Sequence, residues 1–166
     1  TFSNEITCTG INISSQTDTT ATGADRTSGK LDHYEEGTWT PVIMDVTGNV
    51  ATSSQANGSY TRIGNRVEIA FSITLTSIGS MTGSYVQIKG IPFPHPNNDY
   101  NGGGNIVLFT NLNTSYSSLA IDVSSTTTVL WLTGVAAGGA SSHNYIPVSA
   151  LSGDERFGGV AKYYVV

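Results

Sequence analysis

The chain has 166 residues, of which 11% are charged, and a net charge of -5. This length fits one domain with a hydrophobic core of its own. The seven Lys and Arg residues are scattered singly, which excludes the basic stripe that nucleic acid or an anionic membrane surface requires. Since no run of about 18 apolar residues occurs, we expect no membrane insertion.

The low charge leaves Ser, Thr, Asn and Gly to make the polar surface. These residues favour turns and strands over helices. No window combines helical spacing of apolar residues with capping residues at its ends. The composition therefore predicts an all-β fold.

The first 30 residues predict an extended segment that is not part of a core. Residues 1–13 space apolar side chains among polar ones with a period near two, which suits a thin shaft. Residues 14–30 contain no Val, Ile, Leu or aromatic residue, so burial cannot offset their ordering entropy. We predict a shaft or linker at 1–30 and a β-sandwich tip domain at 31–166. Because the chain begins without Met, we expect a fragment or a processed product.

The single cysteine, Cys8, lies in the shaft-like segment. It cannot form an internal disulfide. We interpret it as a small buried apolar residue, with an interchain or reactive thiol as the alternative.

Strands follow one another from Leu31 onward. The clearest covers 67–75, where Val, Ile, Phe and Leu alternate strictly with Glu, Ala, Ser and Thr. Gly64 and Asn65 form a two-residue turn signal before it, which predicts a β-hairpin over 60–74. Further strands are predicted at 38–46, 85–91, 106–112, 119–123, 127–133, 144–148 and 160–166. Their spacing predicts a jelly-roll-like antiparallel β-sandwich.

Three loops carry side chains suited to saccharide recognition. Planar amides form paired hydrogen bonds to hydroxyls, and aromatic faces stack on C–H surfaces. The candidate receptor-binding residues are His95, Asn97, Asn98, Asp99 and Tyr100, then Asn113 and Tyr116, then His143, Asn144 and Tyr145. For each group an ordinary loop is the alternative. The adjoining glycines 102–104 predict a flexible loop and not a phosphate cradle, because no strand-then-helix context surrounds them.

Two tryptophans, Trp39 and Trp131, have two interpretations. Trp131 lies in the apolar run Val-Leu-Trp-Leu at 129–132. We predict that both side chains lie in the core or a subunit interface. The alternative is that they are platforms for sugar stacking.

No catalytic or metal-binding motif is present in the sequence. Glu35 and Glu36 are neighbours in extended chain and point to opposite faces, so they cannot flank one glycosidic bond. The three histidines have no spacing typical of a zinc site. We predict no enzyme, no cofactor and no metal. The alternative, a glycan depolymerase, would need two convergent carboxylates from among Asp99, Asp122, Asp154 and Glu155.

Residues 31–41, LDHYEEGTWTP, resemble the signature LDDYEEGTWTP from the C-terminal regions of phage tail fibre and tailspike proteins. Residues 58–67 resemble the GxYTKIGNxV strand pair of that family, and 90–93 resemble its GLPF segment. The closing residues 160–166 are similar to its terminal aromatic strand. His33 departs from the usual Asp, and residues 94–155 match none of its motifs.

This resemblance implies a trimeric β-sandwich knob at the distal end of a fibre on the virion. Its outer loops would bind a host cell-surface glycan or protein without catalysis, and three weak sites on one homotrimer would gain avidity. The alternative is a structural domain that trimerises and caps the fibre without receptor contact. The shared motifs are scaffold and transfer no binding residues.

Overall fold

Twelve strands make up nearly all regular structure in the computed structural model, which describes residues 11–12, 30–31, 33–96, 102–123, 128–138 and 142–165. The strands are β1 Ile11–Asn12, β2 Lys30–Leu31, β3 Tyr34–Trp39, β4 Val42–Asp45, β5 Thr52–Ile63, β6 Arg66–Ser77, β7 Val86–Lys89, β8 Gly102–Thr110, β9 Tyr116–Asp122, β10 Val129–Ala136, β11 Asn144–Tyr145 and β12 Arg156–Tyr164. One 3₁₀ turn, Val148–Ala150, is the only helical piece in the described ranges. The all-β prediction is confirmed.

Ten of these strands form one antiparallel sheet that curls around the core. Its order is β3-β5-β6-β12-β8-β9-β10-β7-β4, and β11 pairs with β10 beside β7. The edge strands β3 and β4 are joined by only Thr40 and Pro41, so the two edges lie next to each other. We call β3-β5-β6-β12-β8 the first half of this sheet and β9-β10-β7-β4 with β11 the second half. The inner faces of both halves contribute to one hydrophobic cluster. The predicted antiparallel sandwich-like architecture is therefore confirmed.

The hairpin predicted over 60–74 is present and longer than its apolar pattern. β5 and β6 pair from Ile63 opposite Arg66 back to Thr52 opposite Ser77. Gly64 has a φ of 60°, as the first central position of a type II′ turn requires. The polar start of β5, 52–55, gave no apolar signal because its side chains are largely exposed.

Two other predicted elements differ from the structure. The predicted strand 38–46 is broken at Pro41, which has no N–H for a ladder, and its two parts pair with β5 and β7. The prediction that glycines 102–104 form a flexible loop is wrong. These glycines begin β8 and pair with β12 and β9.

The N-terminal segment appears in the structure only as a separate pair of short strands. Ile11 and Asn12 of β1 pair antiparallel with Leu31 and Lys30 of β2. The rest of the predicted shaft, including Cys8, lies outside the described residues.

The Trp39 side chain of β3 packs across β5 onto β6. Its indole Nε1 donates to the carbonyl of Ala70 at 3.2 Å, and its ring meets that of Phe71 edge-on at 5.9 Å. It crosses β5 over Gly58, where a Cβ would lie 2.2 Å from the indole nitrogen. The core position predicted for Trp39 is confirmed.

Gly58→Ala should therefore destabilise the domain by about 1 to 2 kcal/mol, because the indole must shift and lose its hydrogen bond. Urea denaturation, followed by tryptophan fluorescence, measures this change. Ser59→Ala, on the exposed neighbouring residue, is the control and should stay within about 0.5 kcal/mol of the wild type. Equal stability of the two variants would contradict the packing role of Gly58.

Candidate functional site

The first predicted receptor loop is described only at its beginning. His95 has 1% of its surface exposed, so the prediction that it lies on an outer binding loop is wrong. Its Nδ1 is 3.1 Å from the carbonyl oxygen of Pro96, and its ring meets Tyr163 at 6.1 Å. Asn97, Asn98, Asp99 and Tyr100 lie outside the described residues.

Tyr163, beside His95, is a second buried polar side chain at this end of the core. Burial raises the pKa of its phenol to about 12. This hydroxyl therefore stays neutral at physiological pH. Its surroundings are consistent with a packing role.

Residues of the second predicted loop are tied to the fold itself. The Asn113 side chain amide donates to the carbonyl of Leu151 at 2.9 Å, and its backbone N–H donates to Ala150 at 2.8 Å. Tyr116 is half-buried and packs against the core, and this burial raises the pKa of its phenol. Both side chains thus have structural contacts that explain them without a receptor.

The third predicted loop lies against the outer surface of the second half of the sheet. His143 and Asn144 are exposed, and Tyr145 is half-buried on β11. The Tyr145 ring lies 4.6 Å from that of Trp131 at 34° and 5.5 Å from that of Tyr85 at 59°. We call Tyr85, Trp131 and Tyr145 the aromatic cluster.

Trp131 belongs to this outer surface and not to the core. Its neighbours along β10, Leu130 and Leu132, are both fully buried, and successive side chains of a strand point to opposite faces. Trp131 is half-buried and absent from the hydrophobic cluster. Of the two positions predicted for it, the core is therefore wrong, and a subunit interface stays a prediction. The alternation within 130–132 is the sequence signal that could have excluded the core.

The strand register places polar residues next to the aromatic cluster. Gln87 of β7 and Asp122 of β9 lie directly opposite Trp131 on its two sides, and Thr133 lies opposite Tyr145. Residues directly opposite each other share a sheet face. The Trp131 Nε1–H is buried and has no hydrogen-bond partner within the described part of the chain. Gln87 and Thr133 are themselves buried, and the Thr133 hydroxyl donates to the carbonyl of Ala120 at 3.3 Å, so neither side chain is free for a ligand at this surface.

Asp45 is a buried carboxylate that the sequence analysis missed. Its Oδ1 accepts from Thr47 and Asn49, and its Oδ2 accepts from the backbone N–H groups of Thr82 and Gly83, both at 2.8 Å. These hydrogen bonds hold the pKa of the carboxyl well below its usual range, against the opposing effect of burial. Asp45 thereby fixes the segment that leads into Tyr85. An Asp two residues before Thr-Gly-Asn is a turn signal that could have identified it.

Two of the four carboxylates considered for a depolymerase, Glu155 and Asp154, have hydrogen-bond partners within the fold. Glu155 is fully buried, and its carboxylate accepts from the N–H of Gly153 at 3.0 Å and the hydroxyl of Ser152 at 2.8 Å. Asp154 accepts from Ser152 and from the Asn111 amide. Asp122 lies on β9 beside Trp131, and Asp99 is outside the described residues. In the described ranges, no group of three His, Cys, Asp or Glu residues is placed to hold a metal ion.

Glu35 and Glu36 each accept a hydrogen bond from a different tyrosine. Tyr60 donates to Glu35 and Tyr34 donates to Glu36. Each of these bonds raises the pKa of the donating phenol. The two carboxylates are thus engaged separately, as their neighbouring positions in a strand predict.

No family model matches this chain, and no curated protein matches it either. The resemblance of residues 31–93 and the terminus to phage tail fibre tips therefore stays a prediction. Among the helices in the described ranges, none is long and apolar enough to cross a membrane.

Proposed function

We propose that this chain is the receptor-binding tip of a phage tail fibre or tailspike, which acts on the virion as a homotrimer and binds a host cell-surface glycan without catalysis. The observation that carries the glycan part is the aromatic cluster, because it places three rings on an outward sheet surface where Tyr85 is 41% exposed. Exposed aromatic faces are one means by which proteins bind sugars. The homotrimer and the virion follow from the resemblance at 31–41.

A second surface supports the association of copies of this chain. The outer face of β3, β5, β6, β12 and β8 exposes six large apolar side chains. They are Tyr34, Ile63, Val107, Leu108, Val160 and Tyr164. Val160 lies between Ala70 and Asn105 in register, and the Lys162–Glu68 ion pair, at 3.2 Å, crosses the same face two positions further along β12. Monomers rarely expose apolar side chains in such concentration. We call this surface the outer β12 face and propose that it packs against other copies.

Val160→Glu should dissociate the proposed trimer into monomers of 17.4 kDa, because a new carboxylate beside Lys162, which is already paired with Glu68, would be desolvated in the interface without a partner of its own. Light scattering measures the mass directly. Val50→Glu is the matched control, since Val50 and Val160 are both 41% exposed and Val50 lies beside β4, away from this face. A Val160→Glu variant that keeps the wild-type trimer mass would exclude the outer β12 face as the interface.

The alternative function is a structural cap that trimerises the fibre without touching the receptor. The outer β12 face favours it as much as it favours receptor binding, because both functions need association. Binding of the purified domain to a glycan array and to intact host cells, with its mass determined in the same buffer, separates the two. A trimer that binds a defined saccharide supports the receptor-binding tip, whereas a trimer that binds neither glycans nor cells supports the cap.

A further inference from the structure

We infer that copies of this chain meet head to tail at one end of the outer β12 face, where Arg66 of one copy pairs with Glu36 of the next. At the same contact, Tyr164 of the first copy packs against Tyr34 of the second. This inference rests on the proposed homotrimer and names the side chains through which its copies associate. The partner is a second copy of this chain, and the contact joins two different patches of it.

One register row carries the exposed apolar side chains at this end of the face. Tyr34 of β3 lies opposite Ile63 of β5. Ile63 lies opposite Arg66 of β6, which in turn lies opposite Tyr164 of β12. Residues directly opposite each other share a sheet face, so these four form one row across four strands, which we call the end row. Tyr34 is 67% exposed, Ile63 50% and Tyr164 49%, so the apolar part of the row is open to a partner.

Two charged side chains on this face are free to pair with a neighbouring copy. Lys162 and Glu68, two positions further along their strands, already pair with each other at 3.2 Å. Arg66 and Glu36 are exposed and form no ion pair in the described ranges, where the Glu36 carboxylate accepts a hydrogen bond from Tyr34. A guanidinium and a carboxylate are complementary in charge and in planar geometry. Each can therefore serve as the partner of the other across a contact between two copies.

The two charges lie in separate patches, as a ring of three copies requires. The acidic patch, Tyr34 and Glu36, lies on the edge strand β3. The basic patch, Arg66 and Tyr164, lies on β6 and β12, further into the sheet. A closed ring is built by head-to-tail contacts, in which each copy offers one patch to one neighbour and a different patch to the other. The end row supplies both patches.

The predicted shaft enters the domain at the end row. β2 ends at Leu31 and β3 begins at Tyr34. In the proposed trimer the three chains of the predicted shaft run together along the threefold axis, so the residues that follow the shaft are held close to the neighbouring copies. At the other end of the row, the N–H of Val165 donates to the carbonyl of Asn65 at 2.8 Å. This bond ties the residue after Tyr164 to the β5–β6 turn.

The first test is an exchange of the two charges. Arg66→Glu and Glu36→Arg should each raise the protein concentration at which the trimer half-dissociates by about tenfold or more, because like charges then face each other across the contact. The double variant Arg66→Glu/Glu36→Arg restores an opposite pair and should return the trimer to the wild-type mass. Light scattering over a dilution series measures these masses.

Arg156→Glu is the matched control for Arg66→Glu. Arg156 is exposed at one end of the nine-residue strand β12, and Tyr164 lies at the other end, about 27 Å away. The control changes the net charge by the same amount and should leave the dissociation of the trimer unchanged. If Arg156→Glu dissociates the trimer as much as Arg66→Glu does, added negative charge is the cause and the contact at the end row is contradicted.

A disulfide test reports the contact itself. Tyr34→Cys and Tyr164→Cys are combined in one chain that also carries Cys8→Ser. Within one copy the two positions lie three strand spacings apart, about 14 Å, which exceeds the Cα separation of about 7 Å that a disulfide can bridge. On oxidation with oxidised glutathione, the double-cysteine chain should give a covalent trimer in non-reducing gel electrophoresis. A chain with either cysteine alone can give a covalent dimer at most.

The outcomes separate this contact from the proposed function. If the wild type is a monomer at every concentration, the homotrimer and the contact both fail. If the wild type is a trimer and both charge reversals keep that mass, the contact is wrong and the homotrimer stands. Reversals that dissociate the trimer without rescue by the double variant also overturn the pairing. Rescue by the double variant, together with a covalent trimer of the double-cysteine chain, supports it.

Discussion

Asp45→Asn should destabilise the domain by about 2 to 4 kcal/mol, which is a large effect for an isosteric change. Both carboxylate oxygens accept hydrogen bonds: Oδ1 from Thr47 and Asn49, and Oδ2 from Thr82 and Gly83. Asparagine offers one acceptor oxygen and one NH₂ group, so one set of donors must face another donor. Bonds to a buried charge are worth about 1.5 to 3 kcal/mol each, and an unsatisfied buried donor adds its own cost. Urea denaturation should show a lower midpoint with an unchanged slope.

This stabilisation should depend on pH with a defined sign. The folded-state pKa of Asp45 is depressed, so the folded state favours the ionised carboxylate more than the unfolded state does. Its contribution is fully present above the unfolded-state pKa of about 3.9 and is lost as pH falls through and below that value. The stability difference between wild type and Asp45→Asn should therefore be full at pH 7 and smaller at pH 3.

Asp154→Asn is the matched control for Asp45→Asn. Asp154 also accepts hydrogen bonds from neighbouring polar groups, but it is exposed. Water can therefore accept the hydrogen bonds that the NH₂ group of the introduced asparagine cannot accept. We expect its stability to stay within about 0.5 kcal/mol of the wild type. If Asp45→Asn falls in the same range at pH 7, the carboxylate does not anchor the segment before Tyr85.

The sequence predicted the strands whose side chains alternate between core and solvent. The strand at 67–75 appears as predicted within the longer β6 because one face is buried and the other is not. The sequence failed where backbone pairing decides the structure without an apolar pattern, as at the polar start of β5 and the glycine start of β8. Except where a tight turn joins two strands, as at Gly64 and Asn65, local pattern does not identify the neighbouring strand.

The site was predicted only in part for the same reason. Tyr145 was identified from its loop composition, yet its ring partners Tyr85 and Trp131 lie far from it in sequence and meet it only through strand register. Trp131 stood in an apolar run that predicts burial. His95 followed a proline-rich stretch that predicts a surface loop, whereas the fold places its ring against Tyr163. Long-range pairing therefore decides which candidates share a surface.

Gly104→Ala should destabilise the domain by about 3 kcal/mol or more. Gly104 lies opposite Ala161 in the β8–β12 ladder, and a Cβ there would lie 2.0 Å from the carbonyl oxygen of Val160 and 2.6 Å from Ala161 Cβ. These atoms belong to β12, which pairs with β6 on one side and with β8 on the other. They cannot rotate away as the end of a flexible side chain does. Overpacking of a core typically costs about 1 to 3 kcal/mol, and a clash with backbone falls at or above the top of that range.

The matched control for Gly104→Ala is Gly158→Ala, one strand away on β12. A Cβ at Gly158 would lie 3.6 Å from both Leu108 Cβ and the Phe71 carbonyl oxygen, which is ordinary contact. Since glycine inside a strand is about 0.5 to 1 kcal/mol less favourable than alanine, this variant should be neutral or slightly stabilised. Urea midpoints of the two variants test whether glycine at 104 is needed for the close approach of β8 to β12. Only Gly104→Ala should unfold at a lower urea concentration than the wild type. Equal midpoints of Gly104→Ala and Gly158→Ala would contradict this role.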